Sequence, residues 1–211
     1  MMFGIENYIG FIIAGVILNL TPGSDTIYIL TRSIGQGKKA GYFSVYGIVT
    51  GGLIHTMFAS FGLSIILAKS ALAFSIVKYC GVAYLIYLGI KMIVDKSSIF
   101  ENNDTKIERL DLKKIYRQGV LTNVLNPKVA LFFLAFLPQF INPEYAQGAI
   151  PFLILGLTFM TTGTIWCLFL AYSSSLITKT LRKNDKVGKV MQKLSGLIFI
   201  VLGLKLLTNK Q

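Results

Sequence analysis

Two ionisable side chains, Asp25 and Lys128, stand well inside apolar stretches of the chain. An unpaired carboxylate in such surroundings is expensive unless it is protonated, hydrated or paired, so an acidic residue there needs an explanation. Counted at 1.5 Å per helical residue, Asp25 lies about 9 Å and Lys128 about 15 Å from the cytoplasmic ends of their segments. Side chains of ordinary length bridge that difference. Two chemistries fit: a structural ion pair joining two helices, or a carboxylate that exchanges protons or meets a substrate ammonium.

Both residues follow a proline. Asn19, Leu20, Thr21, Pro22 and Gly23 precede Ser24 and Asp25, while Asn123, Val124, Leu125, Asn126 and Pro127 precede Lys128. Proline lacks the backbone donor and clashes with the carbonyl four residues back, so each break leaves carbonyls without an intrahelical partner. In hydrocarbon such groups must be satisfied, and Asn19, Thr21, Asn123 and Asn126 are polar side chains placed where freed backbone groups or a polar solute can use them. One break alone reads as a patched kink. Two, at corresponding places, favour a transport site.

The correspondence sets Leu20-Thr21-Pro22-Gly23 over Leu125-Asn126-Pro127-Lys128, 105 residues apart in a chain of 211, with the leucine and the proline shared. Leu88-Gly89-Ile90-Lys91 and Leu202-Gly203-Leu204-Lys205 echo it at an offset of 114. The chain therefore reads as a degenerate internal repeat.

Other polar residues admit two readings each. His55 is a proton relay or a hydrogen-bonded packing residue, and a single histidine makes no metal site. Thr161, with Thr158, Thr162 and Thr164, lines a cavity or bonds back to its own helix. Gly47, Gly51, Gly52, Gly62, Gly156 and Gly163 read as close helix contacts. Phe132, Phe133 and Phe136 face lipid or a core. Cys80 and Cys167, the two cysteines, indicate neither a disulfide framework nor a paired metal site.

The elements that must hold these residues are membrane helices. Hydrophobic residues make up 54% of the chain against 14% charged, with a mean hydropathy of +0.64, which excludes an ordinary soluble domain. The net charge of +12 is spread between apolar runs rather than gathered in one patch, so no nucleic-acid partner is expected. A cleaved leader is not expected either: the first residues carry Glu6 and no Lys or Arg. Six spans are predicted, at 8–31, 42–68, 70–94, 118–141, 149–175 and 188–207, each near the roughly 20 residues that a bilayer requires. The last is the shortest. Pro138 and Pro143 end the fourth.

Basic residues orient the bundle, because Lys and Arg stay on the cytoplasmic side of short loops. The first connection carries Arg32, Lys38 and Lys39, the third Lys91, Lys96, Lys106, Arg109, Lys113, Lys114 and Arg117, and the fifth Lys179, Arg182, Lys183, Lys186, Lys189 and Lys193. These are 16 of the 21 basic residues, so both termini are expected outside. Residues 107–117 read as a short interfacial helix against anionic headgroups. The fold expectation is one all-α integral membrane domain over 1–211: repeat one at about 1–95, an amphipathic linker at about 96–117 and repeat two at about 118–211. With three spans each, the repeats enter the membrane from opposite sides, a 3+3 inverted pair with its first and fourth helices broken.

The segments Asn19-Leu20-Thr21-Pro22-Gly23-Ser24-Asp25 and Gly119 to Lys128, with Phe132-Phe133 and Pro138-Gln139-Phe140, resemble the LysE/RhtB family of bacterial amino-acid exporters. Length and span pattern agree over nearly the whole chain. Ser24 stands where that family usually has a second proline. The resemblance implies a secondary transporter, not an enzyme, that exports an amino acid or related metabolite across the bacterial cytoplasmic membrane. It implies the proton gradient as the driving force, with no cofactor. Membrane lipids are further partners, and a homo-oligomer is compatible with the sequence. Rival classes fit less well. A membrane thiol-redox carrier needs cysteines at the breaks, where this chain has Thr21 and Asn126. A heavy-metal exporter needs clustered thiolates or imidazoles.

Overall fold

The computed structural model describes residues 3–63, 71–94, 110–142, 148–183 and 185–208. Most of the predicted linker, including Lys96, Lys106 and Arg109, lies outside them, as do Lys69, Pro143 and Lys210. Among the described residues there is no β-strand; an isolated bridge joins Ile5 to Ile141.

Asn7 opens the first helix. It adopts the left-handed backbone (φ 48°) that asparagine tolerates, and its Oδ1 accepts from the Gly10 amide at 3.2 Å. The helix α1 (Tyr8–Leu20) ends at the Thr21-Pro22 break, and α2 (Ser24–Gln36) resumes at an angle of 48°. After Gly37, whose φ of 87° suits a residue without a Cβ, α3 (Lys38–Phe58) runs on through a π-turn at Ala59–Leu63. The fourth helix is α4 (Ala71–Val94). The second broken pair is α5 (Leu112–Val124) and α6 (Pro127–Leu131), the latter extended by a π-turn at Phe132–Phe136 and a 3₁₀ turn at Leu137–Phe140, with a 45° bend between them. The long α7 (Ala149–Lys183) and then α8 (Asp185–Thr208) complete the bundle.

Two helices, Lys38–Leu63 and Ala149–Ser174, are long and apolar enough to cross a bilayer, and each bent pair adds a span if counted as one. At 26 residues these two reach about 39 Å. α4 and α8 have 24 residues each and pack along one another. The chain is thus all-helical over its described part and suited to pass the membrane several times. The sequence reading is amended at one point. Asp111 caps α5 by accepting from the Lys114 amide at 3.0 Å, so Leu112 to Arg117 run on unbroken into the helix that carries Asn123, while 107–109 of the expected interfacial helix lie outside the described residues.

Small residues set the helix spacing. A Cβ on Gly47 would stand 2.9 Å from Gly119 Cα, bringing α3 and α5 into backbone contact. A Cβ on Gly89 would come 2.6 Å from the Gly196 carbonyl, which does the same for α4 and α8. Gly62, by contrast, has open space around it. Phe11, Phe132, Phe133, Phe136, Phe140 and Phe159 form the aromatic centre of the main core, with Phe132 and Phe159 stacked at 4.3 Å. Apolar side chains such as Ile9, Phe58 and Leu72 remain exposed on the outside. An apolar exterior around an apolar interior is what a bundle solvated by lipid requires.

The two broken helices are fastened to each other at both ends. At one end, Glu6 N donates to Phe140 O at 2.8 Å, Asn142 N to Gly4 O at 2.8 Å, and Asn142 Nδ2 to Glu6 Oε1 at 3.0 Å. At the other, Tyr28 Oη donates to Ile115 O at 2.7 Å and Arg32 Nη2 to Gln118 Oε1 at 2.6 Å.

Candidate functional site

Each proline removes the amide that would reach the carbonyl four residues back, and the structure shows what meets that carbonyl instead. The amide that would reach Leu18 O belongs to Pro22, which has no N–H. The Thr21 amide reaches Leu18 O at 3.2 Å, and Lys128 Nζ donates to it at 3.2 Å and to Thr21 O at 2.9 Å. On the other break, Pro127 removes the amide that would reach Asn123 O, and His55 Nε2 lies 3.2 Å from that oxygen. A carbonyl only accepts, so that contact assigns the ring proton to Nε2. The His55 ring is held in place by stacking on Phe133 at 5.7 Å. The Asn126 amide also reaches Asn123 O at 2.9 Å, tightening the last turn of α5.

Around the crossing of the two breaks is a cavity of about 40 Å³, which accommodates a few water molecules and not an amino acid. Asn19, Asp25, Asn123 and Lys128 line it, with Thr164, Trp166 and Cys167 from α7 and with Ile48, Val129, Phe159 and Met160 as apolar wall. Asp25 lies in the first turn of α2, where the helix dipole favours a carboxylate, and its Oδ2 accepts from Asn123 Nδ2 at 2.8 Å. Asn123 Oδ1 is buried with no partner. Asn19 Nδ2 donates to Thr162 Oγ1 at 3.1 Å. Glycines admit both asparagines: a Cβ on Gly163 would stand 3.1 Å from Asn19 Oδ1, and one on Gly51 2.7 Å from Asn123 Cβ.

The sequence-derived residues separate into three groups. Asn19, Asp25, Asn123 and Lys128 meet at the cavity. Thr21, Pro22, Gly23, Asn126 and Pro127 build the breaks: Thr21 Oγ1 bonds back to Ile17 O at 2.8 Å, and Asn126 Oδ1 caps α6 through the Lys128 amide at 3.0 Å. The Asn126 Nδ2 is buried without a partner. Thr161 stands apart, exposed and bonded to Leu157 O at 2.8 Å, while His55 patches the second break without lining the cavity. Asp25 and Lys128 form no direct ion pair; the ammonium sits on backbone carbonyls instead. Sequence reasoning missed Met160 and Trp166. Trp166, the single tryptophan, carries the one signal that was available.

Among the described residues, no group of three or more His, Cys, Asp or Glu is placed to hold a metal ion. The two cysteines lie on different helices, Cys80 exposed and Cys167 at the cavity.

Comparison with known proteins fits this arrangement. No solved structure matches the chain. The membrane protein YrhP of Bacillus subtilis is 35% identical over 210 residues, covering 95% of this chain and 98% of that relative. The leucine efflux proteins of Salmonella typhimurium and Klebsiella pneumoniae are each 28% identical, with 98% of this chain and 97% of theirs covered. The LysE type translocator family matches residues 16–210, a stretch that contains both helix breaks and every residue of the cavity. With a family match over most of its length and two proline breaks meeting at a cavity that a carboxylate, an ammonium and two amides line, this chain is a translocator rather than an enzyme, a member of the LysE type translocator family.

Proposed function

We propose that the chain exports an amino acid or related small metabolite across the bacterial cytoplasmic membrane, by proton antiport, through the cavity between the two breaks. The single observation that carries this reading is the convergence of Asp25, Asn123 and Lys128 at one cavity. A carboxylate, an ammonium and an unsatisfied amide oxygen are the groups that a zwitterion's two ends would need. Leucine efflux by relatives of equal length supports an amino-acid cargo. The cavity is smaller than such a solute, so transport through it requires the two halves to move apart.

The architecture proposed is six spans in two inverted repeats with both termini outside. Cross-repeat contacts support it: Asn19 of α1 packs on Gly163 of α7 as Asn123 of α5 packs on Gly51 of α3. Thiol-redox or heavy-metal transport draws no comparable support from the cavity, where Cys167 is the one thiol.

The test is efflux from bacterial cells loaded with dipeptides, with and without the protein. Accelerated release of one or a few amino acids, abolished when the proton gradient is collapsed, is expected. Unchanged release of every amino acid would rule the reading out.

A further inference from the structure

Leu18 O and Thr21 O form a pair of acceptors at the open end of α1, where the half-helix dipole is negative. Had the helix continued, each would have met an amide four residues on. The proline removes the first, and the extended backbone at Thr21 (ψ 120°) turns away from the second. Leu18 O keeps a tight-turn bond from the Thr21 amide at 3.2 Å, and both oxygens also take a bond from one side-chain donor at 3.2 and 2.9 Å, the Nζ of a residue more than a hundred positions along the chain. Gly23 clears the approach, since a Cβ there would stand 3.3 Å from Nζ. Beside this site, on the wall of the same cavity, lie the Asp25 carboxylate and the 4% exposed Asn123, whose Nδ2 is bonded to Asp25 and whose Oδ1 has no partner.

In broken-helix transporters, carbonyls freed at such ends coordinate a cation. We propose that the open end of α1 is a cation site for a primary alkylammonium ion, and that Lys128 fills it as a tethered ligand. The cation that holds this break together is then part of the chain, and the break itself calls for no sodium ion. Lys128 also joins the halves, because it comes from α6 and the carbonyls from α1. The half-buried Asp25 and the buried Asn123 Oδ1 give the ammonium a neighbouring place to move when the halves separate.

The proposal is tested without knowing the solute. Purified wild-type protein and Lys128→Ala are unfolded by heat in detergent with choline chloride, sodium chloride or methylammonium chloride at equal ionic strength. Removing the side chain leaves the carbonyls and the space of the amine. Methylammonium is expected to raise the midpoint of the variant by roughly 3 °C or more over choline while leaving the wild type unmoved. No selective effect on the folded variant overturns the proposal, and stabilisation by sodium alone overturns the ligand class. Should Lys128→Ala fail to accumulate in membranes, its accumulation becomes the measurement. Methylammonium in the growth medium then raises it above a choline control, or the proposal fails. Because the readout is stability, a failed amino-acid efflux assay would leave this result standing, and the reverse.

Discussion

Asp25 takes its hydrogen bond from Asn123, and Lys128 turns its ammonium to the carbonyls of Leu18 and Thr21. The two charges therefore have separate partners, and variants separate their roles. If Asp25 carries protons, Asp25→Asn retains a comparable shape and loses the charge change, so gradient-driven efflux falls by about tenfold or more. Adding Lys128→Met does not restore it. Recovery in the double variant, at matched membrane levels, would instead mark the two as one structural pair. His55 gives a second prediction. His55→Ala strips the Asn123 carbonyl of its side-chain donor and should cost about 1–3 kcal/mol of stability, read as a lower unfolding midpoint, whereas His55→Gln offers an amide donor and costs less. The breaks were legible because the missing donor of proline is a covalent fact visible in any sequence. The partner of His55 was not, since it is a backbone carbonyl 68 residues away. Thr161 shows the same limit: four threonines on one helix look alike until rotation about the axis decides which face the cavity.

At the level of helices, glycine positions carry the packing, and they do not carry it equally. Gly51→Ala would place a methyl group 2.7 Å from Asn123 Cβ, displacing the asparagine that holds Asp25. A loss of about 1–3 kcal/mol is expected together with weakened efflux. Gly62→Ala meets no atom within 4 Å, so stability should change by about 0.5 kcal/mol or less, with a slight gain possible from the better helix former. Equal effects at the two sites would refute the packing account. Apolar length located these helices in the sequence, and the structure's long apolar helices and two bent pairs fall in the first, second, fourth and fifth stretches. The start of α5 was misjudged because charges at Lys113, Lys114 and Arg117 mimic a surface helix. A broken span can begin with such turns, since its apolar stretch resumes beyond the break.

For the whole molecule, the asymmetric placement of basic residues predicts the topology, and Gly35 and Gly148 are exposed points at which to check it. Introduced singly in a cysteine-free background, Gly148→Cys should react with an impermeant thiol reagent added outside, and Gly35→Cys only after the membrane is opened. The reverse pattern would invert the protein. Hydropathy and charge made this much readable, whereas the meeting of Asn19, Asn123 and Thr164 at one cavity depends on how the helices cross, which no local pattern records. The fastenings at the two ends of the broken helices differ in kind. Glu6 and Asn142 are tied largely through main-chain groups, a miniature β-bridge that yields only when the chain itself shifts. Tyr28 and Arg32 hold the opposite end by side-chain tips, which swing free by rotamer changes on a far shorter timescale. The two ends therefore part by different motions: one needs the backbone on either side of the Ile5–Ile141 bridge to move, the other only two side chains to rotate.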